Sequence, residues 1–158
     1  MNNTLLPVVA AHPFFAGLDD VHIEQLANMA HDMCFDKGVV IFPEGDTSRE
    51  FYLLVHGMVA LEIMSNGTQL RVQTLHAGDE FGFSSLLSEK RKVLQARALD
   101  RVDVLVFDGA QLLEAFKTEP AFGMAIAMRL VGVVSERLSA AREQLLDMYA
   151  PEARRAGT

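Results

Sequence analysis

A chain of 158 residues has the length of one ordinary domain, and 50% hydrophobic residues supply a core without metals or cross-links. The 14 lysines and arginines are outnumbered by 21 aspartates and glutamates, so the net charge of −7 disfavours a surface that neutralises nucleic-acid phosphates. The single cysteine, Cys34, excludes an internal disulfide and favours a reducing, cytoplasmic location. We expect Cys34 to be a small core residue at the start of a strand.

The first amphipathic helix is predicted over residues 18–33, with Asp19 or Asp20 as its N-cap. Its apolar positions, at mixed three- and four-residue spacing, are Val21, Leu26, Met29 and Met33. The apolar start of the chain lacks a basic leader, and no apolar run reaches about 18 residues. We therefore expect neither a signal peptide nor a contact with a membrane.

From Cys34 to Asp108 the pattern changes to short apolar segments separated by turn residues. The segments are VVIF, EFYLLV, MVALEIM, QLRVQTL, VLQARAL and VDVLVF. Turn signals such as DKG, EGD and SNG lie between them, and a spacing of about ten residues is typical of an antiparallel roll or barrel. The sequence therefore predicts a mainly β fold with flanking helices, built as an antiparallel β-roll.

Two helices are predicted after Asp108, one over residues 109–119 and a long one over 120–148 with Pro120 in its first turn. The long helix has a near-heptad apolar stripe: Ala127, Leu130, Val134, Leu138, Ala141, Leu145 and Met148. Because this stripe is longer than a small barrel needs, we predict a parallel pair with a second copy of the chain. The predicted dimer interface comprises Leu130, Val134, Leu138, Ala141, Leu145 and Met148. Packing on the barrel is the alternative.

The order of these elements, with 43-PEGD-46, 52-YLLVHGMVAL-61 and 76-HAGDEFG-82, resembles the cyclic-nucleotide-binding domain family. More narrowly, it is similar to the sensor half of Crp/Fnr-type bacterial regulators, from about His12 to Met148. The glycines at the family's turn positions are Gly38, Gly45, Gly57, Gly67, Gly78 and Gly82. The resemblance implies a jelly-roll-like β-roll around a small-ligand pocket, closed by a C-terminal helix that also dimerises.

In that family the residues after Gly82 form a phosphate-binding cassette, which corresponds here to residues 81–93. The resemblance implies that the amides of a short helix, an acid and an arginine hold a cyclic phosphate and its ribose. In this chain Phe83 stands in place of the acid, and Lys92 stands in place of the arginine. The residues expected to bind the ligand are Phe81, Gly82, Phe83, Ser84, Ser85, Arg91, Lys92 and Val93.

These features predict a single domain over residues 1–150, with a frayed tail at 151–158 and no helix-turn-helix domain. We interpret it as a non-enzymatic, homodimeric regulatory module that binds a small effector and signals through its C-terminal helix to a protein partner. Cyclic AMP and cyclic GMP are the candidate ligands, and another anionic or apolar effector stays open. Direct contact with nucleic acid is not expected. The alternatives are a ligand-free interaction protein with Phe83 and Leu94 in the pocket, or the sensor fragment of a Crp/Fnr-type transcriptional regulator.

Other chemistries have little support in the residues. The sequence has no nucleophilic serine in a G-x-S-x-G turn, and its five histidines do not follow metal-ligand spacing. Some relatives bind haem through a histidine, and His31 and His76 are the candidates for that role here. One cysteine cannot hold an iron–sulfur cluster.

Overall fold

The structure is a computed structural model that describes residues 4–47, 49–86 and 91–149. The chain forms two compact units, one ending at Gly123 and one beginning at Met124. From residue 4 onward, three helical segments precede the first strand: α1 (Leu6–Ala11), a 3-10 helix (Pro13–Phe15) and α2 (Asp20–Met29). The tail that was predicted to be frayed, residues 151–158, lies outside the described residues.

In the described part of the chain, eight strands form two four-stranded antiparallel sheets. In chain order they are β1 (His31–Phe35), β2 (Val40–Phe42), β3 (Glu50–His56), β4 (Val59–Ser65), β5 (Thr68–Leu75), β6 (Glu80–Phe81), β7 (Gln95–Ala98) and β8 (Val102–Asp108). One sheet has the order β1-β8-β3-β6 and the other has the order β2-β7-β4-β5. This arrangement confirms the predicted antiparallel β-roll with flanking helices.

The main core lies where the apolar faces of the strands meet. The members of this core cluster are Phe42, Tyr52, Leu54, Val59, Leu61, Leu75, Phe81, Ala96, Ala98, Val102, Val104 and Val106. Alternation along β8 places Val102, Val104 and Val106 on the same face, as the two-residue period of a strand requires. Burial of these side chains is the main favourable term in the folding of the roll.

The predicted helix over residues 18–33 is wrong at its C-terminal end. The helix stops at Met29, and His31–Phe35 pairs in register with β8, from His31 opposite Val106 to Phe35 opposite Val102. Val21, which was expected on the apolar face, is 70% exposed. The helical spacing of residues 31–33 does not decide their conformation, because hydrogen bonds to β8 satisfy their backbone groups in a strand.

Cys34 is also placed differently from its prediction. It lies inside β1 and is exposed, so it is not a core residue. Its sulfur accepts a hydrogen bond from Nε of Arg101 at 3.2 Å. The prediction of a core residue was wrong because the side chain of Cys34 lies on the exposed face of β1. That face depends on the pairing of β1 with β8, which the sequence pattern does not reveal.

His12 joins the N-terminal helices to the roll. Its Nδ1 accepts from the main-chain N–H of Phe14 at 3.2 Å, and its Nε2 lies 3.0 Å from the carbonyl oxygen of Leu54 in β3. Because Nδ1 is an acceptor, the proton belongs on Nε2, which donates to Leu54. His12 is 5% exposed, and burial lowers the pKa of its imidazole.

Up to Tyr149, where the described residues end, two helices follow the strands: α3 (Gly109–Thr118) and α4 (Pro120–Tyr149). The side chain of Asp108 caps α3 by accepting from the N–H groups of Ala110 and Gln111. α4 begins at Pro120, as the first-turn preference of proline predicts. No helix within the described ranges is long and apolar enough to cross a membrane.

Candidate functional site

Gly82 is the corner on which the candidate site is built. Its φ of +77° lies in the left-handed region, and a Cβ at this position would meet the carbonyl oxygen of Glu50 at 2.9 Å. The same Cβ would lie 3.1 Å from Cδ2 of Tyr52 and 3.3 Å from Nζ of Lys92. Glycine is therefore required here both for its backbone conformation and for the close approach of β3. All six turn glycines named from the sequence have positive φ.

A short 3-10 helix, Phe83–Leu86, follows Gly82 directly. The main-chain N–H of Ser85 donates to the carbonyl of Gly82 at 3.1 Å, and the Ser85 hydroxyl donates to the same oxygen at 2.9 Å. Ser85 was expected to bind the ligand, and its hydroxyl is engaged within the cassette instead. Residues 87–90 of the cassette lie outside the described part of the chain.

Lys92 is the central polar group of the site. Its side chain turns inward, the residue is only 3% exposed, and Nζ lies 5.2 Å from the centroid of the Phe42 ring. Nζ donates to the carbonyl oxygen of Glu50 at 3.0 Å and to that of Gly82 at 3.1 Å. One ammonium thus links the start of β3 to the first turn of the cassette.

The main chain of Lys92 is held as firmly as its side chain. Its N–H donates to the carbonyl of Asp46 at 2.8 Å, and its carbonyl accepts from the N–H of Gly45 at 2.7 Å. These two bonds attach the second half of the cassette to the loop between β2 and β3. Lysine at this position is therefore placed by backbone contacts that do not depend on its charge.

The charge of Lys92 is poorly compensated. Burial lowers the pKa of its ammonium, and the negative charges of Asp46 and Glu50 oppose this change. Within residues 4–47, 49–86 and 91–149, no carboxylate forms an ion pair with Nζ. The two acids act at a distance, and the direct partners of the ammonium are neutral carbonyls.

A tyrosine–carboxylate pair lies beside the ammonium. The hydroxyl of Tyr52 donates to Oε2 of Glu50 at 2.6 Å, and the Tyr52 ring stacks on Phe81 with centroids 4.8 Å apart and planes 5° from parallel. Burial, followed by the hydrogen bond with Glu50, raises the pKa of the phenol. The phenol therefore stays protonated and remains a donor to Glu50 at neutral pH.

Aromatic side chains pack closely next to the candidate site. Phe42, Tyr52 and Phe81 form a compact ring cluster with centroids 4.8 to 6.0 Å apart. Leu94 packs against the core from the second half of the cassette. Two cavities, of 470 Å³ and 390 Å³, lie outside the cassette beside α1 and share Val8 and Val55 in their walls.

The structure brings together only part of the predicted site. Ser85 and Lys92 both donate to the carbonyl oxygen of Gly82. Phe81, the residue before Gly82, stacks on Tyr52. Phe83 and Ser84 lie in the short helix and are half-buried. Arg91 is exposed, and so is Val93, which is 66% accessible and does not face the interior. His31 and His76, the candidates for haem, are exposed side chains.

The sequence reasoning missed Glu50, Tyr52 and Phe42. A signal for two of them was present, because Glu50 and Tyr52 are two positions apart on one strand and share a face. Their closeness to the cassette depends on the pairing of β3 with β6, which sets Tyr52 opposite Phe81. No local sequence pattern predicts the pairing of β3 with β6.

Comparison with known proteins agrees with this geometry. Residues 33–119 match the family model described as cyclic nucleotide-binding domain. The chain is 32% identical over 114 residues to the HTH-type transcriptional regulator Cmr of Mycobacterium tuberculosis, an alignment that covers 72% of this chain and 45% of the regulator. The chain thus spans less than half the length of that relative.

Solved structures give the same result. A putative cyclic nucleotide-binding protein from Geobacter metallireducens has a TM-score of 0.74 at 28% identity, covering 84% of this chain and 96% of that protein. The catabolite activator protein of Thermus thermophilus has a TM-score of 0.70 at 25% identity, covering 84% of this chain and 61% of the activator. The chain therefore belongs to the cyclic nucleotide-binding domain family, a family of regulatory rather than catalytic domains, as the sequence predicted.

Proposed function

We propose that this chain is a regulatory sensor domain that binds an anionic small effector at the ammonium of Lys92. The observation that carries the proposal is a buried cation whose direct partners are neutral carbonyls. Removing an ammonium from water is unfavourable by several kcal/mol unless an opposite charge compensates it. An anion beside Nζ supplies that charge, so the site gains most when such a ligand binds.

Lys92 also keeps hydrogen-bonding capacity for a ligand. An ammonium has three N–H donors, and the carbonyls of Glu50 and Gly82 take two of them. Among the described residues, no hydrogen-bond acceptor is found for the third, and the centroid of the Phe42 ring lies 5.2 Å from Nζ. A ligand oxygen takes this third position or displaces one carbonyl. Lysine offers a point charge rather than the two-pronged contact of arginine, so we expect affinity about one to two decades below that of an arginine cassette.

Cyclic nucleoside monophosphates are the proposed class of effector. The description of the family supports this choice, and a cyclic phosphate diester carries the single negative charge that one ammonium can balance. Cyclic AMP and cyclic GMP are therefore the first ligands to titrate.

Calorimetric titration of the full chain with cyclic AMP and cyclic GMP tests the proposal. Lys92→Met removes the charge at similar side-chain length, so we expect binding to weaken at least tenfold. Lys92→Arg keeps the charge and adds the two-pronged contact, so it should bind at least as tightly as the wild type. Lys37→Met, which changes an exposed lysine in the turn before β2, is the matched control and should bind as the wild type does. Because the chain has no tryptophan, a melting shift is the second readout. Ligand at 100 times its Kd adds about 2.7 kcal/mol to the free energy of unfolding.

Two outcomes of this titration contradict the proposal. Equal binding by the wild type and Lys92→Met would show that Lys92 does not bind the ligand. No heat and no melting shift with either nucleotide would reject the cyclic-nucleotide class and favour the second candidate function.

The second candidate is a ligand-free interaction domain. The observation in its favour is the apolar packing beside the candidate site, where Phe42, Tyr52 and Phe81 belong to the core cluster and Leu94 packs against it. In this case the ammonium of Lys92 serves only to tie β3 to the cassette. Leu94, one of the two residues predicted to fill the pocket in this case, packs against the core cluster.

We further propose that α4 pairs with a second copy of the chain, the arrangement implied by the family. Of the predicted interface, Leu130 is half-buried and the other five residues are exposed. Exposed apolar side chains are Met124, Met128, Val131, Val134, Leu138, Leu145, Leu146, Met148 and Tyr149. An apolar surface of this length is characteristic of an interaction site.

Sedimentation equilibrium tests the helix pair. A charge in the apolar stripe must be buried in the dimer interface, so we expect Leu138→Glu to convert the dimer to a monomer. Ser139→Glu places the same charge at the next exposed position and serves as the control. A wild-type monomer at micromolar concentration would refute the pairing. A separate output partner, a cytoplasmic location, and a role as the sensor part of a longer transcriptional regulator stay predictions.

A further inference from the structure

We propose that the two cavities on either side of α1 form a second ligand site, which takes a small cationic amphiphile: a protonated amine on an apolar body. The cavities have volumes of 470 Å³ and 390 Å³, and Val8 of α1 and Val55 of β3 line both of them. We call them together the α1 site. The residues that line it do not contact Lys92, so the inference goes beyond the proposed function and does not depend on it.

α1 covers this part of the sheet incompletely. Of its six residues, only Val9 is buried. A helix of this length has little stability of its own, so its position on the sheet depends on tertiary contacts. Cavities of this size are in the range of pockets that hold small organic ligands. A ligand between α1 and β3 therefore supplies apolar contacts that the helix lacks.

The walls of the larger cavity select an apolar body. Val8 and Val55 are joined there by Pro7, Ala11 and Leu54. Among the described residues that line this cavity, His12 is the one polar side chain, and both of its ring nitrogens are already hydrogen-bonded. A ligand in the larger cavity is therefore bound by burial of apolar surface.

The smaller cavity has two carboxylates in its wall, Asp32 of β1 and Asp103 of β8. In the β1–β8 ladder Asp32 lies opposite Leu105 and Asp103 lies opposite Cys34, so the two acids are diagonal neighbours on one face of the sheet. Neither forms a hydrogen bond or an ion pair with a described residue, and Asp103 attracts Arg101 only over a longer distance. A cation between them is attracted by both charges.

The position of the carboxylates decides the chemical class of the ligand. An amine at Asp32 and Asp103 leaves its apolar body against Leu5 and Leu105, or under α1 against Val8. An anion of the same shape is repelled by both acids. The α1 site and the Lys92 site therefore select ligands of opposite charge, and a cyclic nucleotide is not expected at α1.

Fluorescence titration of the full chain with tryptamine tests the α1 site. The chain has no tryptophan, so the indole signal comes from the ligand alone. We expect a Kd of about 0.1–1 mM, the value for a ligand of about twelve non-hydrogen atoms. Tryptophol replaces the amine by a neutral hydroxyl and should bind about fivefold more weakly. Indole-3-propionate carries the opposite charge and should bind more weakly than tryptophol.

Two pairs of variants separate the charge from the apolar contacts. The double variant Asp32→Asn/Asp103→Asn should weaken tryptamine binding about three- to tenfold and leave tryptophol binding unchanged. Glu24→Gln removes an exposed carboxylate from α2 and is its control. Val8→Phe narrows both cavities and should weaken all three ligands. Val21→Phe adds the same ring at an exposed position of α2 and should bind as the wild type does.

Cys34 gives an independent readout of the same site. It is the single cysteine of the chain, it is exposed, and it lines the smaller cavity beside Asp32 and Asp103. Alkylation by iodoacetamide, followed by mass spectrometry, should therefore slow at saturating tryptamine. It should not slow at the same concentration of indole-3-propionate.

Several results would overturn the inference and leave the proposed sensor function untouched. The first is an absence of tryptamine binding up to about 10 mM, tenfold above the weakest Kd expected. The second is equal binding of the three indoles, or tryptamine binding that the double variant does not weaken. The third is an unchanged alkylation rate of Cys34 when tryptamine is bound. Should Val8→Phe fail to fold, as judged by its melting curve, the double variant and the alkylation rate still decide.

Discussion

His12 and Lys92 are two buried titratable side chains whose surroundings differ in one respect. Both are almost fully buried, both contact main-chain carbonyls of β3, and burial lowers the pKa of both. His12 has a donor and an acceptor among its neighbours, so its neutral form uses both ring nitrogens. Lys92 has acceptors only, and its charge has no directly paired anion in the described part of the chain.

This difference separates a structural group from a binding group. A neutral imidazole with both nitrogens bonded has nothing left to offer a ligand. A buried ammonium with neutral partners still gains from any anion that reaches it. Buried His12 therefore stabilises the fold through its two hydrogen bonds. Buried Lys92 is the group at which an anionic ligand can stabilise the domain.

The largest expected effect comes from the turn that carries the Lys92 acceptor. Gly82→Ala combines left-handed strain with a contact of 2.9 Å to the Glu50 carbonyl, so we expect the free energy of unfolding to fall by about 2–4 kcal/mol. Gly38→Ala is the control, because its φ is also positive but a Cβ there meets nothing within 4 Å. Its cost should be about 1 kcal/mol. Urea denaturation measures both, and equal losses would mean that the approach of β3 to Gly82 is not tight.

The second prediction compares the loss of stability when each of the two buried groups is replaced. His12→Ala leaves the Leu54 carbonyl and the Phe14 N–H without their partners, so we expect a loss of about 2–3 kcal/mol. Lys92→Met removes two hydrogen bonds but also the cost of a buried charge, so its unfolding free energy should stay within about 1 kcal/mol of the wild type. A larger loss in Lys92→Met than in His12→Ala would invert the comparison and make Lys92 a structural residue.

The smallest expected effect is a pH dependence at His12. Because its pKa in the folded chain is lowered from 6.5, the folded state resists protonation, and the stability it contributes is present above pH 6.5 and lost as pH falls. One such proton lowers the free energy of unfolding by at most about 0.7 kcal/mol between pH 7 and pH 6. His12→Gln keeps a donor and an acceptor without titrating, so its stability should fall less over this interval. Urea denaturation at each pH measures this. If the free energy of unfolding falls equally in the two proteins between pH 7 and pH 6, His12 does not cause the pH dependence.

The sequence determined the features that depend on local backbone conformation and on periodicity. Six glycines were assigned to turns and all have positive φ, because a tight turn needs a residue free of Cβ wherever the chain later packs. The strand segments and the long helix from Pro120 follow from two-residue and near-heptad periods in the same way. The place of Lys92 in the cassette could be counted from Gly82 along the chain.

The tertiary structure decided which groups meet. Residues 31–33 have a helical pattern but form a strand, because β8 offers them a partner along the whole of β1. Lys92 and Glu50 are 42 positions apart, and their hydrogen bond exists only because β3 pairs with β6 next to Gly82. The inward turn of the Lys92 side chain depends on that same pairing, since one of its two acceptors is the Glu50 carbonyl of β3. Local conformation is set by near neighbours in the chain, whereas the partner of a buried charge is set by the packing of distant strands.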